Sequence, residues 1–318
     1  MLRKWLAATA LAVMCTASAS ARELTLGSQD NEQSNPYKGA VAMQEKLAEV
    51  SGGELTMKLF PASQLGDFKA MVAQMQAGEL DMAMTGYPDM SYVIPELKLV
   101  GAPYVVRDFD HLKTILAGPW GQEMEQKFEE QNVKILDVWY YGTRQTTANR
   151  PINAMEDLKG LRMRTPNVPF LIAYAANVGA TPAPVAFAEV YLALQTNQVD
   201  AQENPLPTIE AMKFYEVQSS VAITNHFIAS TAIQISLDTW NSLSEQERGW
   251  LAEAIAAGGE VNNSLNFKGE EELLAEFEKR GLTVTRPDLE PFRAAMQPYY
   301  DELEAEFGEG SIARVSGD

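Results

Sequence analysis

Residues 55–84 read LTMKLFPASQLGDFKAMVAQMQAGELDMAM, and the order of signals in this stretch decides the fold class. Residues 55–60 alternate apolar and polar side chains, the period of two that marks a strand. Asp67 stands where a helix N-cap is wanted, the helix runs on through Ala77, and Gly78 tolerates the left-handed conformation that closes a helix. Residues 81–84 then form a second strand. A strand, a helix and a strand in this order make a βαβ unit, which implies a largely parallel sheet.

The same rhythm extends in both directions. Upstream, residues 24–27 read as a short strand, and Ser34-Asn35-Pro36 supplies a cap and a first-turn proline. Met43, Leu47 and Val50 follow at helical spacing before Gly52-Gly53 stops the helix. Downstream, strands are expected at 133–140 and 161–164, with helices at 170–177 and 187–195. Gln76-Ala77-Gly78-Glu79-Leu80-Asp81 is echoed by Gln195-Thr196-Asn197-Gln198-Val199-Asp200, each ending a helix at Gly or Asn before an Asp-led strand. Two halves built on one plan would leave this echo. Residues 244–280 are almost continuously helical, broken only by Gly258-Gly259 and Asn262-Asn263. One helix of that length would exceed about 50 Å and lie across both halves, the glycines allowing a bend. Two consecutive helices fit the pattern equally.

Arg3 and Lys4 precede an apolar run over residues 5–14 and a small-residue stretch ending in Ala19-Ser20-Ala21. That is the layout of a secretory signal peptide, expected to be cleaved near Ala21, since a membrane helix needs roughly 20 apolar residues. No later segment is long and apolar enough to span a membrane. The single cysteine, Cys15, falls inside the export segment, so the mature chain is expected to hold no disulfide or thiolate metal site. The formal charge of −18 becomes −20 when Arg3 and Lys4 leave. So acidic a chain is no partner for nucleic acid. If its ligand is an anion, a few cations must be focused at one site.

Only two histidines occur, His111 and His226, and the common catalytic and nucleotide-binding motifs are absent, so neither a metal nor a cofactor is expected. The informative segment is Tyr141-Gly142-Thr143-Arg144-Gln145-Thr146-Thr147-Ala148-Asn149-Arg150, which collects two arginines among hydroxyl and amide donors. Arg164 ends a strand just before Thr165-Pro166-Asn167 breaks the chain, and ligands of open α/β sheets bind outside the carboxyl ends of strands. Its guanidinium can therefore offer a two-pronged donor to a carboxylate, or else make a structural ion pair. Phe187 and Asn204 can reach the same crevice, or serve as a core aromatic and a turn residue.

At these residues the sequence closely resembles the extracytoplasmic binding proteins of tripartite ATP-independent periplasmic (TRAP) transporters. The resemblance covers essentially the whole mature chain. It is densest at Gly142-Thr143-Arg144-Gln145-Thr146-Thr147, Leu158-Lys159-Gly160-Leu161-Arg162-Met163-Arg164, Ala186-Phe187-Ala188-Glu189-Val190-Tyr191, Val199-Asp200-Ala201-Gln202-Glu203-Asn204-Pro205 and Lys213-Phe214-Tyr215-Glu216-Val217-Gln218. It implies a two-lobed α/β fold of the Venus-flytrap type, with crossing hinge strands, a long helix spanning both lobes and a ligand buried between them. Lobe I is expected to comprise 22–141 plus 230–269, and lobe II 142–229 plus 270–318.

The resemblance further implies that Arg164 is the central carboxylate-binding arginine, Arg144 the second, Asn204 the amide beside the carboxylate and Phe187 the aromatic on the ligand. Asn167 and Asp67 fall on positions near the cleft. Within the family the chain looks most like the sialic-acid-binding branch, but it departs where that branch holds the far end of its sugar. Thr85-Gly86-Tyr87-Pro88-Asp89 carries glycine and aspartate where the branch has glutamate and arginine, and Gln29 replaces an asparagine. A smaller hydroxylated monocarboxylate, a hexuronate or an aldonate, is therefore expected, with Asp67, Gln29 and Asp89 accepting from its hydroxyls. The expected role is a monomeric periplasmic receptor, not an enzyme, that hands an organic acid to TRAP membrane permease subunits. Sialic acid or another small carboxylate, a sensory binding protein, and a periplasmic lyase or isomerase are the alternatives.

Overall fold

The computed structural model describes residues 21–317, so the export segment expected at 1–21 lies, but for Ala21, outside the described residues. The chain runs β1 (Arg22–Ser28), α1 (Asn35–Val50), β2 (Leu55–Phe60), α2 (Phe68–Gln76), β3 (Met82–Gly86), α3 (Leu97–Gly101), α4 (Phe109–Ala117), α5 (Pro119–Glu130) and β4 (Val133–Ala148). It continues through β5 (Arg162–Thr165), α6 (Pro169–Asn177), β6 (Thr181–Pro184), α7 (Val190–Gln195), β7 (Ala201–Pro205), α8 (Leu206–Ala211) and β8 (Ser220–Ser236). Last come α9 (Leu237–Ser242), α10 (Glu245–Lys279), β9 (Thr283–Thr285), α11 (Glu290–Ala295), α12 (Gln297–Phe307) and α13 (Ser311–Ser316).

The strands form one mixed sheet in the order β2-β1-β3-β8-β4-β7-β5-β6, with β9 parallel to β8. Two parallel triplets, β2-β1-β3 and β6-β5-β7, flank the antiparallel pair of β8 and β4. Each triplet keeps its earliest strand in the middle, so the two halves repeat one plan. The echo in the sequence is the local mark of that repeat: Gly78 has φ +73° and Asn197 φ +54°, both left-handed. The aspartates that follow do the same job as well. Asp81 accepts from Thr25 N on β1 at 2.9 Å, and Asp200 from Arg162 N on β5 at 2.9 Å. This is the two-lobed α/β architecture expected from the sequence.

Strands β4 and β8 hold 16 and 17 residues and each run about 50 Å at ~3.3 Å per residue, through both lobes. The strand expected to stop at 140 continues to Ala148, because register shifts at Ile135/Asp137, Tyr140/Gly142 and Arg144/Thr146 break the alternation that sequence patterning needs. Gly142 permits the middle one: its φ is +123°, and a Cβ there would stand 2.6 Å from Pro205 Cβ.

Helix α10 is continuous over 35 residues, about 52 Å. A Ser244–Glu247 capping box starts it. Gly258 and Gly259, expected to allow a bend, instead allow close approach: Cβ atoms there would stand 2.8 Å from Trp139, and the one on Gly258 2.6 Å from Gly39 O. The N-terminal part of α10 thus lies against α1, and the C-terminal part against α8 and β9. Between them, Asn262 and Asn266 donate to Tyr140 O at 2.8 and 2.7 Å, and Asn263 accepts from Tyr140 N at 2.7 Å. The backbone groups that the β4 bulge takes out of the sheet ladder find their partners on this helix.

The C-terminal helices reach back to the first half of the chain. Lys98 pairs with Glu306 at 2.7 Å, Tyr300 donates to Pro103 O at 2.5 Å, and His111 Nε2 lies 2.8 Å from Ser316 O. Among the described residues no helix is long and apolar enough to cross a membrane.

Candidate functional site

A cavity of about 310 Å³ opens between the two parallel triplets and against the paired long strands. All eight residues singled out in the sequence line it: Gln29, Asp67, Asp89, Arg144, Arg164, Asn167, Phe187 and Asn204. Gln29 follows β1, Asp67 caps α2 and Asp89 lies in the 3-10 turn Tyr87–Tyr92 after β3, so these three form one wall. Arg164 on β5, Asn167 before α6, Phe187 after β6 and Asn204 on β7 form the other. Arg144 comes from β4, which belongs to both.

Arg164 is 2 % exposed. It sits at the carboxyl end of a short parallel strand whose neighbours fix its register, Ala183 on β6 and Gln202 on β7. Its Nε and Nη2 both donate to Val185 O, at 3.0 and 2.8 Å, and the Phe187 ring lies 6.0 Å from its guanidinium carbon. Among the described residues no carboxylate forms an ion pair with it. Burial is the largest influence on its pKa and pushes it down to about 9, Glu203 opposing and Arg144 reinforcing. A buried cation without a neutralising partner is costly, and an anion entering the cavity would relieve that cost.

Arg144 stands differently. Its Nε donates to Glu203 Oε2, and its Nη2 to Glu203 O at 2.6 Å and Oε1 at 2.9 Å. Burial would lower its pKa, but Glu203, with smaller help from Tyr141 and Asp89, raises it on balance. The same carboxylate meets His226 Nε2 at 3.1 Å, while Thr224 Oγ1 lies 2.9 Å from Nδ1 and the Tyr174 ring stacks on the imidazole at 4.0 Å. Burial would raise Glu203, yet Arg144 and His226 hold it low; burial drives His226 down, toward its neutral form. The charge of Arg144 is therefore largely answered inside the protein, and Arg164 is the cation left for the cavity.

Asn204 is buried at 2 % exposure and donates to Gln202 Oε1 at 2.6 Å. Two residues apart on β7, these side chains share a face. Gln202 in turn donates to Thr147 Oγ1 at 2.9 Å. Asp67 is exposed at the rim, its Oδ1 accepting from Ala70 N at 2.9 Å; Asn167 is also exposed, and Gln29 and Phe187 are partly buried.

Sequence reasoning did not single out Asp30, Ser230 or Thr231, which also line the cavity, nor Tyr141 as a site residue. Asp30 accepts from Tyr141 OH at 2.9 Å and from Ser28 Oγ at 3.1 Å. Burial pushes its carboxyl up to about 6 against those two bonds. An acid two residues beyond an apolar strand was the available signal for Asp30. Ser230 and Thr231 belong to β8, which sequence patterning had not found.

A model of the bacterial extracellular solute-binding proteins of family 7, DctP, matches residues 26–306. The chain is 43% identical over 301 residues to the sialic acid-binding periplasmic protein SiaP of Vibrio cholerae, covering 93% of each. Among solved structures, a TRAP periplasmic solute-binding protein of Roseobacter denitrificans with bound L-galactonate superposes with TM-score 0.85 at 31% identity, over 93% of this chain and 98% of that one. A second such protein of Roseobacter denitrificans, with bound β-D-glucuronate, gives TM-score 0.86 at 27% identity, over 92% and 99%.

Proposed function

The chain belongs to family 7 of the bacterial extracellular solute-binding proteins, and on that premise we propose that it captures a monocarboxylate sugar acid for a TRAP membrane permease. Its class is settled by kinship: it is a periplasmic TRAP solute-binding protein and not an enzyme. The ligand of this reading is a hexuronate, such as glucuronate or galacturonate, or an aldonate.

One observation carries the reading. Arg164 is a buried guanidinium with no acid paired to it among the described residues, facing a cavity whose other arginine is already bound to Glu203. The ligand carboxylate takes Arg164 as its charge partner, with Arg144 and Asn204 beside it and Phe187 against an apolar ring face. Asn167 flanks that end. Asp67, Gln29 and Asp89 on the facing wall accept from hydroxyls. Lobe I, 22–141 plus 230–269, and lobe II, 142–229 plus 270–318, close on the ligand about the β4 and β8 bulges. Each charge-assisted bond contributes about 1.5 to 3 kcal/mol net, so micromolar binding, near −8 kcal/mol, needs the hydroxyl contacts and the Phe187 ring face as well as the carboxylate bonds to offset the ordering costs.

Titration calorimetry tests this. Galactonate or glucuronate should bind the wild type, and Arg164→Lys should weaken binding by more than about tenfold, because an ammonium cannot reproduce the planar two-pronged donor. Unchanged affinity would remove Arg164 from the site. The similarity to SiaP supports sialic acid as a second reading. Gly86 and Asp89 argue against it, since they put no cation on the wall where a large acid's far end would lie.

A further inference from the structure

Three carboxylates reach the wall facing Arg164, and their hydrogen bonds and exposure distinguish them, since Asp67 is exposed at the rim and Asp89 is partly buried. Asp30 is answered on both oxygens, by Tyr141 and Ser28, and Asp67 is engaged as the cap of α2. Asp89 receives a single hydrogen bond among the described residues, from Gly86 N to Oδ2 at 3.1 Å. Gly86 makes this placement possible. A Cβ on residue 86 would stand 2.7 Å from the carboxyl carbon and from both carboxylate oxygens of Asp89, so the carboxylate occupies the space that a side chain would take. Gly86 and Asp89 therefore work as a pair.

Resting on the sugar-acid reading, we propose that Asp89, held in place by the bare backbone of Gly86, selects the ligand's far end. It accepts a hydroxyl hydrogen there and turns away a second carboxylate, so the chain takes aldonates and uronates but not the matching aldarates. The charge balance supports this. Among the described residues Arg164 is the one cavity arginine without an acid paired to it, and a ligand with one carboxylate answers it. A second carboxylate would meet Asp89 on a wall that offers it no cation, and like charges brought together at an interface are strongly unfavourable. Burial pushes Asp89 up to about 6, Arg144 and the Gly86 bond opposing, which leaves it ionised at neutral pH.

The experiment compares galactonate with galactarate, and glucuronate with glucarate, by calorimetry at pH 7.5. Galactonate and galactarate, both open chains, differ only at the carbon remote from the shared carboxylate, whereas glucuronate and glucarate differ there and in ring closure, so the first pair decides the ratio. Wild type should prefer the monocarboxylate by roughly a hundredfold or more. Asp89→Asn keeps an acceptor oxygen but removes the charge, and should erase at least about tenfold of that preference, mainly through tighter aldarate binding. Gly86→Ala is tolerated by the backbone, whose φ is −60°, and should loosen the preference by displacing the carboxylate while keeping its charge. Equal binding of both acids to wild type, or an unchanged ratio in Asp89→Asn, overturns the role of Asp89 alone. An unchanged ratio in Gly86→Ala overturns the pairing. A wild type that binds neither member of either pair overturns the sugar-acid reading and this role with it.

Discussion

At the scale of single residues, two buried arginines about one cavity have opposite fates because one of them meets an acid inside the protein. Glu203, which also meets His226, answers the charge of Arg144, whereas Val185 O gives Arg164 hydrogen bonds without charge. A site that stores an unanswered charge should be more stable without it. Arg164→Met is thus expected to melt a few degrees higher than wild type when free of ligand, while losing the rise that a sugar acid produces; thermal denaturation with and without galactonate reads both effects. A lower melting temperature of the free variant would show that the cation is already compensated. Arg164 was legible in the sequence because its signal is local, an arginine at a strand end before a proline. Asp30 and Tyr141 were not, because their meaning lies in each other, 111 residues apart.

At the scale of elements, α10 shows why the same residue type has different consequences along one helix. Glycine costs a helix about 1 kcal/mol relative to alanine, and Gly249 has open space around its missing side chain. Gly249→Ala should therefore stabilise by up to about 1 kcal/mol. Gly258→Ala gains the same propensity but drives a methyl against Gly39 O and Trp139, and overpacking costs typically about 1 to 3 kcal/mol, so the net sign reverses. Urea denaturation of the two variants checks this, and a stabilised Gly258→Ala would mean that α1 and α10 can move apart. The elements that sequence patterning found were those with local punctuation, such as Ser34 and Asp67 as caps and Gly78 and Asn197 as left-handed stops. It missed β8 because SVAITNHFIASTAIQIS is buried almost throughout and so has no polar face to alternate with an apolar one. It ended β4 early because Thr143, Arg144, Gln145 and Thr146 look like a solvated loop until their partners on β7, β8 and α10 are known.

At the scale of the whole molecule, the acidic balance and the buried titratable groups govern the response to pH. Burial raises Asp30 and Asp89 from the ordinary 3.8 to about 6, and raises Asp137 and Glu270 as well. Between about pH 6 and 4 the folded protein binds more protons at these groups than the unfolded chain does. Stability they confer is present at low pH and lost as the pH climbs through 6. His226, depressed by burial, works the other way, and so do the acids held low, Glu96, Asp200, Glu203, Glu247 and Glu304, but those acids lose their contribution mainly below about pH 5. The melting temperature of the free protein should accordingly rise from pH 7.5 to pH 5, and Asp89→Asn should rise less; a fall in wild type over that interval would mean that these acids are not desolvated.

The long pair β4 and β8 sets a last consequence. A cleavage near Tyr141 would give two pieces, neither holding a complete sheet, since the parallel triplet of each half is sealed by a strand whose remainder belongs to the other half. The protein is consequently not a tandem of modules that evolution or an engineer could detach and exchange one at a time. Any graft of a new binding pocket must be made within the existing weave, by changing side chains on the walls rather than by swapping a wall.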